Sequence, residues 1–244
     1  MLAATRLQRT RQIDSYCSVR IFPVDSDIAE AVRLDIYRAL ADTGHLPDLN
    51  VIASRHRLSR DDFFGVIEQL GAERHFGLRD GRIVLAHPFA TENFGFSVMS
   101  QTALWWGGCS WDSFAIAHLV SGAAPMLVAT VCPACAKPHA WRVGTDTAPE
   151  GNQVAHFLVP MKQVWDDVLH TCGHQRIFCD RGCLIRWLTD HRASEGYAMS
   201  VQQLWRLASG WYTGRLDPGY VRRHPSQAAE YFRSVGLTGP FWEA

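Results

Sequence analysis

The sequence lacks an excess of charge of either sign. Its 244 residues include 24 Lys and Arg and 24 Asp and Glu side chains, so the formal net charge is zero. Proteins that bind nucleic acids usually carry a clear positive charge, because they must neutralise phosphates. The balance therefore disfavours DNA as the main partner. With 47% hydrophobic and 20% charged residues, the composition is that of an ordinary globular protein.

A long uninterrupted apolar run is also missing. The most apolar window, residues 114–132, is broken by His118 and Pro125, so it predicts a buried helix followed by a strand and no membrane span. The start of the chain contains arginines but no apolar stretch typical of a secretory signal. We therefore expect a cytoplasmic protein whose seven cysteines are reduced, as metal ligands or reactive thiols.

The pattern along the chain predicts three regions. Residues 1–24 are typical of a basic, flexible arm. Residues 25–90 contain three predicted helices, the third with Ser59 as its N-cap, and a hairpin that turns at Asp80-Gly81. Residues 91–244 mix strands with helices and end in a helical extension. Its two predicted helices cover residues 195–216 and 225–236, with Ser200 and Ser226 near their starts. The expected fold class is α+β.

Three helices and a hairpin are typical of a winged-helix unit, which suggests a DNA-binding regulator. The helix that would enter the major groove carries Asp61, Asp62 and Glu68 beside Arg60. Acidic side chains facing phosphates are electrostatically unfavourable, so we expect no DNA binding. The alternative is a helical cap that packs on the second domain.

A cysteine and an aspartate stand three residues apart in "WWGGCSWD". If a helix begins near Ser110, Cys109 lies at its N-terminus, where the helix dipole favours a thiolate. Asp112 then lies on the same helix face and can reach atoms bound to the sulfur. The alternative for Cys109 is a small buried core residue.

A second cysteine, Cys172, lies in the polar stretch "DDVLHTCGH". The motifs "CSWD", "VATVCPACAKP" around Cys132 and "DVLHTCGHQRIF" make residues 25–215 resemble the organomercurial (alkylmercury) lyase family. Its members have an N-terminal winged-helix-like domain, a Cys-x-x-Asp at a helix start, a strand with a buried cysteine, and a second catalytic cysteine followed by His. The resemblance implies a winged-helix-like domain followed by a lyase-like mixed sheet domain with C-terminal helices.

The resemblance also implies a reaction. Cys109 and Cys172 would bind the mercury of an organomercurial, and Asp112 would relay a proton to carbon, because soft metals prefer thiolates and the leaving carbanion needs a proton. The products are a hydrocarbon and bound Hg(II), which small thiols or a thiol protein then accept. No cofactor is required for this chemistry. Three tryptophans are candidates to line the substrate pocket or, alternatively, ordinary core aromatics: Trp105, Trp106 and Trp111.

Three further cysteines, Cys135, Cys179 and Cys183, depart from the family pattern, and together with Cys132 they form a possible metal-binding set. "CPAC" contains Cys132 and Cys135, and "FCDRGC" contains Cys179 and Cys183. This spacing predicts a tetrahedral zinc site, with His139 and His174 as substitute ligands. The alternative is four unlinked thiols.

Three functions therefore stand open. The chain is a carbon–mercury lyase, an enzyme that uses the same Cys/Asp/Cys trio on another small molecule, or a non-catalytic metal-binding or regulatory protein. The aspartate favours the two enzymes, because a metal carrier needs no carboxyl group beside its thiols.

Overall fold

Three helices open the part of the chain that the structure, a computed structural model, describes: residues 26–120 and 125–243. The predicted arm of residues 1–24 lies outside these residues. The helices are α1 (Ser26–Thr43), α2 (Leu49–Arg55) and α3 (Arg60–Ala72). The predicted cap is confirmed, since the Ser59 side chain accepts a hydrogen bond from the backbone N–H of Asp62. Helix α1 buries Val32, Ile36 and Leu40, which recur at helical spacing.

A seven-stranded antiparallel sheet follows the helices. Its strands are β1 (Gly77–Arg79), β2 (Arg82–Ala86), β3 (Phe89–Ala90), β4 (Phe96–Met99), β5 (Leu104–Gly107), β6 (Met126–Val131) and β7 (Pro138–Val143). Their order is β1-β2-β3-β5-β4-β6-β7. The predicted turn between β1 and β2 is confirmed: Asp80 and Gly81 both have positive φ, 51° and 73°, as such a tight hairpin requires.

Helix α4 (Ser110–Leu119) lies between the sheets and is buried on every side. Residues 110–117 are all buried, and the helix packs against strands of the large sheet and against α7 (Val201–Ser209). A helix that is apolar all round must be enclosed by other elements. The N-terminus of α4, with Cys109 as its N-cap, therefore opens inside the protein.

The second antiparallel sheet has three strands: β8 (Val154–Phe157), β9 (Gln175–Phe178) and β10 (Tyr197–Ser200). Their order is β10-β8-β9. The remaining helices are α5 (Val168–Gly173), α6 (Arg181–His191) and α8 (Pro225–Ser234), with short 3₁₀ helices at Met161–Gln163 and Pro240–Trp242. Strand β10 corrects the sequence analysis, which assigned residues 195–216 to one helix. Its residues pair with β8, from Tyr197 opposite Phe157 to Ser200 opposite Val154. Ser200 then caps α7.

One hydrophobic core connects these parts. It contains residues of α1, α3, the large sheet, α4, α7 and α8. The hairpin β1–β2 belongs to the same sheet as β4–β7, so the sheet continues across residue 90. The division into units 25–90 and 91–244 remains a prediction. None of the helices in the described ranges combines the length and apolar character that a membrane span needs.

Candidate active site

The start of α4 holds Cys109 and Asp112 in one compact turn. Cys109 caps the helix: its Sγ accepts a hydrogen bond from the backbone N–H of Asp112 at 3.3 Å. Two glycines make the turn possible. A Cβ on Gly107 would lie 2.0 Å from Ser113 Oγ, and a Cβ on Gly108 would lie 2.5 Å from Asp112 Oδ2. The Gly-Gly pair of "WWGGCSWD" therefore leaves room for the side chains of the first helical turn.

Two side chains from distant parts of the chain hold the Asp112 carboxyl group. The Tyr212 hydroxyl donates to Asp112 Oδ1 at 2.6 Å, and His87 Nδ1 lies 2.9 Å from Oδ2. His87 is held in turn by Arg215, whose Nε donates to the His87 carbonyl oxygen at 3.1 Å. Asp112 is only 1% exposed. Both carboxylate oxygens are thus oriented by buried partners.

Cys172 reaches the same place from helix α5. Asp167 begins this helix and accepts a hydrogen bond from the His170 N–H at 2.8 Å. The ligand atoms of His87, Asp112 and Cys172 all lie within 4.8 Å of one another. The thiols of Cys109 and Cys172 also influence each other's pKa. The structure therefore brings the predicted trio together, and adds His87.

The buried thiols hold their protons tightly. Burial raises the pKa of Cys109 well above the ordinary thiol value, and the hydrogen bond to Cys172 and the charge of Asp112 add to this. The hydrogen bond with Cys109 lowers the pKa of Cys172, but burial and Asp112 together outweigh it and the pKa is raised. The Asp112 N–H at the helix N-terminus does lower the pKa of Cys109, as expected, but burial outweighs this effect. Loss of solvation dominates over the single N–H that the helix offers to the sulfur.

A cavity of about 430 Å³ opens onto the trio. Cys109, Asp112 and Cys172 line it together with Trp111. Trp105 and Trp106 are not among the lining residues that the structure describes. Trp105 is buried and donates its indole N–H to the carbonyl oxygens of α1, at 2.8 Å from Leu40 O, and Trp106 is partly buried in β5.

Sequence reasoning missed four residues of this site. They are His87, Trp165, Tyr212 and Arg215, and all of them line the cavity. His87 follows the predicted strand β2 directly, where a polar side chain at a strand end is a weak signal of a site. Tyr212 and Arg215 lie beyond α7, in a stretch that the sequence analysis assigned to a helix. No motif connects them to the trio.

The other four cysteines that the structure describes form a second cluster. The sulfur atoms of Cys132, Cys135, Cys179 and Cys183 all lie within 4.8 Å of one another. Cys135 Sγ is 3.4 Å from Cys179 Sγ and 3.9 Å from Cys183 Sγ. Four thiolates around one zinc ion at about 2.3 Å stand about 3.8 Å apart. The cluster could therefore hold a metal ion, and the six cysteines that the structure describes are all free of disulfides.

The substitute ligands named from the sequence differ in position. His139 Nε2 lies 3.3 Å from Cys179 Sγ, at the edge of the cluster. His174 instead contacts the carbonyl oxygen of His170 through Nδ1. Within the cluster, Cys132 is buried and Cys135 is exposed. A hydrogen bond from the Lys137 backbone, assisted by Cys179, lowers the pKa of Cys135 to about 7.

Comparison with known proteins agrees with this geometry. The family model for alkylmercury lyase matches residues 89–213, just over half of the chain. A solved structure, the mercury-bound form of MerB2, has a similar fold with a TM-score of 0.61 and 14% sequence identity; the match covers 80% of this chain and 94% of that one. No curated protein matches the sequence. The extent of the family match shows that the chain belongs to the alkylmercury lyase family.

Proposed function

We propose that the protein is an organomercurial lyase, which breaks carbon–mercury bonds by protonolysis. One observation carries this proposal: two buried thiols and one buried carboxyl group line the same cavity. Mercury(II) is soft and binds sulfur strongly, so the two thiols suit the metal. The carboxyl group suits the second requirement of the reaction, a proton for carbon.

Capture comes first. The substrate is R–Hg–X, where X is a thiolate or another exchangeable ligand. The sulfur of the first cysteine bonds to mercury, X leaves, and the thiol proton leaves with X as HX. The sulfur of the second cysteine then binds the same mercury, and its proton moves to the Asp112 carboxylate. Because burial keeps Cys109 and Cys172 protonated, the site supplies this proton itself.

Cleavage follows from the position of the carboxyl group. Asp112 delivers its proton to the carbon that is bound to mercury, and the electron pair of the carbon–mercury bond forms the new carbon–hydrogen bond. The hydrocarbon R–H leaves, and Hg(II) remains between the two thiolates. Tyr212 and His87 hold the Asp112 carboxyl group in a fixed orientation. Two thiols of a small molecule or a thiol protein then take the Hg(II) and return two protons to the cysteines.

The N-terminal helices support this site. We propose that residues 25–90, as a winged-helix-like unit, act as a scaffold. Arg33 of α1 is fully buried and donates to the carbonyl oxygen of Arg215 at 2.8 Å. The hydrogen bond from Trp105 to Leu40 ties α1 to β5, which leads directly into Cys109. Both contacts fix segments that carry site residues.

The four-cysteine cluster, we propose, binds structural zinc. Its sulfur spacing fits a tetrahedral ion, and it joins the β6–β7 hairpin to the start of α6. Asp180 caps α6 and accepts a hydrogen bond from the Cys183 N–H at 2.7 Å, which fixes the helix start in the cluster. The protein would then contain one zinc ion per chain, with no role in the cleavage step.

The test is direct. Purified protein is incubated with phenylmercury and excess 2-mercaptoethanol, and benzene is measured by gas chromatography. We expect catalytic benzene release, and no release from Cys109→Ala or Cys172→Ala. If the wild type retains mercury but leaves phenylmercury and methylmercury intact, the lyase proposal fails. The trio would then act on a different substrate, or the protein would only bind metal.

A further inference from the structure

The cavity that opens onto the trio has a strongly positive lining. Five of the lining residues are lysine or arginine, and two are aspartate. One of the two, Asp112, belongs to the trio, and the other, Asp166, is exposed. The five cations are Arg74, Lys162, Arg215, Arg222 and Arg223. The chain as a whole is neutral, so this concentration of one charge is a local feature of the cavity.

Arg215 is the innermost of these cations. It is only 2% exposed. Its Nε donates a hydrogen bond to the His87 carbonyl oxygen. Its Nη1 is buried and has no hydrogen-bond partner among the residues that the structure describes. Its guanidinium lies 4.8 Å from the Tyr220 ring and 5.3 Å from the Tyr212 ring. A buried, unpaired N–H on a cation is costly, so its presence at a cavity wall points to a ligand that completes it.

Arg74 and Arg222 extend the positive lining toward solvent. Both stand against the Trp165 ring, at 5.7 Å and 4.8 Å from its centre. Within residues 26–120 and 125–243 neither of them forms a salt bridge, and neither does Arg215. Partial burial, followed by repulsion from Arg215 and Arg74, lowers the pKa of Arg222. These like charges are held together without neutralisation. Arg223 differs, since backbone carbonyl oxygens of Gly210 and Trp211 accept from its guanidinium.

We propose that Arg215, Arg222 and Arg74 form a carboxylate-binding subsite, and that the preferred substrate is an organomercurial whose organic group carries a negative charge. The inference rests on the proposed lyase function. Guanidinium groups bind carboxylates with strong, directional hydrogen bonds, and the unpaired Arg215 Nη1 supplies one donor. Trp165 and Trp111 offer flat apolar surface for an aromatic ring between the carboxylate and the mercury. A mercurated benzoate has this combination of groups.

The carboxylate that this subsite would bind has a second candidate source. The thiol that removes the Hg(II) can also carry a carboxylate, and it must enter through the same cavity. The substrate and the thiol are therefore varied separately in the experiment. In the first arm the thiol is always neutral 2-mercaptoethanol, and phenylmercury is compared with 4-mercuribenzoate. In the second arm phenylmercury is the substrate, and 3-mercaptopropionate is compared with 2-mercaptoethanol.

The variants are Arg222→Gln and Arg74→Gln, with Arg142→Gln as the matched control. Arg142 is exposed on β7 and does not line the cavity, so its removal takes away one charge elsewhere. Hydrogen bonds between a guanidinium and a carboxylate are stronger than those between neutral groups, so we expect Arg222→Gln to lower kcat/KM for 4-mercuribenzoate about tenfold or more. The value for phenylmercury should change less than twofold. Arg142→Gln should behave as the wild type with both substrates.

The outcomes separate the subsite from the lyase function. The subsite is overturned if the wild type and Arg222→Gln both cleave the two substrates at equal kcat/KM and neither thiol is preferred. The lyase function would still stand in that case. A preference confined to 3-mercaptopropionate assigns the carboxylate to the thiol and overturns the substrate preference. If neither mercurial is cleaved, benzoate is titrated against tryptophan fluorescence, with benzamide as the neutral control. If benzoate quenches the tryptophan fluorescence saturably, benzamide does not, and benzoate binds Arg222→Gln more weakly, the subsite is supported although the lyase function fails. If benzoate causes no saturable quenching, the subsite and the lyase function are both overturned.

Discussion

Replacement of Asp112 by asparagine separates capture of mercury from cleavage of the carbon–mercury bond. Asparagine has nearly the same shape, and its amide oxygen can still accept the hydrogen bond that Tyr212 donates to Asp112 at 2.6 Å. Its amide nitrogen would face His87 Nδ1, which must then accept, and a neutral histidine can do so by changing its tautomer. An amide cannot carry a proton from sulfur to carbon. Loss of a positioned proton carrier typically costs ~10²–10⁴-fold in rate.

Instability cannot produce a loss of that size. Disturbance of a buried hydrogen bond costs about 1–3 kcal/mol, whereas folded domains have about 5–15 kcal/mol of stability. Most of the Asp112→Asn protein therefore stays folded, which circular dichroism and urea unfolding check. Unfolding alone would also reduce capture and cleavage together, and the two can be measured separately.

The assay uses one preparation for both steps. After incubation with one equivalent of phenylmercury, gel filtration and mercury analysis give the mercury retained per chain, and gas chromatography gives benzene in the presence of excess thiol. Asp112→Asn should retain one phenylmercury per chain and release benzene at least a hundredfold more slowly than the wild type. Asp190→Asn, which removes an exposed carboxylate on α6, is the control. Benzene release from Asp112→Asn at the wild-type rate would refute the relay.

Three further predictions concern the surroundings of the trio and the second cysteine cluster. Gly108→Ala should slow cleavage about tenfold or more, because the added Cβ would lie 2.5 Å from Asp112 Oδ2 and displace the carboxyl group. Capture of mercury should persist. Benzene release measures cleavage, and the mercury retained per chain measures capture. The raised pKa values of Cys109 and Cys172 mean that, above the ordinary thiol pKa of about 8.5, the unfolded chain loses thiol protons before the folded chain does. Stability should therefore fall as pH rises through this range, and urea unfolding from pH 7.5 to 10 should show a flatter fall for the Cys109→Ala/Cys172→Ala variant. Elemental analysis should find one zinc per chain in the wild type and much less in Cys135→Ser. The variant should also have a lower thermal midpoint, since metal binding at such a site contributes to folding. A wild type free of zinc after purification without chelator would contradict the zinc assignment.

Local sequence signals predicted the parts of the structure that depend on neighbouring residues. The start of α4 could be placed from "GGCSWD", because a cap, a first turn and an i, i+3 pair are all set within a few residues. The hairpin at Asp80-Gly81 and the cap at Ser59 followed from turn and cap chemistry in the same way. The two cysteine pairs of the second cluster were also recognisable, since metal ligands come from short, regular spacings. That the pairs meet depends on the pairing of β6 with β7 and on the position of α6.

Long-range contacts account for what the sequence did not reveal. Tyr212 lies 100 residues from Asp112 along the chain, and Arg215 lies 128 residues from His87. No periodicity joins residues so far apart, and single tyrosines and arginines occur throughout the sequence. Strand β10 was missed for a related reason. Its four residues form a strand because the edge of β8 accepts them, and a partner strand 40 residues earlier is not visible in local propensity.

The protonation of the two thiols bears on the order of the proposed reaction. A site built only to hold mercury would gain from preformed thiolates, because sulfur binds metal in its deprotonated form. At Cys109 and Cys172 burial favours the opposite state, and the strong mercury–sulfur bond must displace the proton. A preformed thiolate would already have lost that proton to solvent, and cleavage would need another acid. In a cavity that holds neutral thiols beside Asp112, capture of the metal releases a proton next to the group that can use it. The proton for the hydrocarbon is then set free only when the substrate is bound.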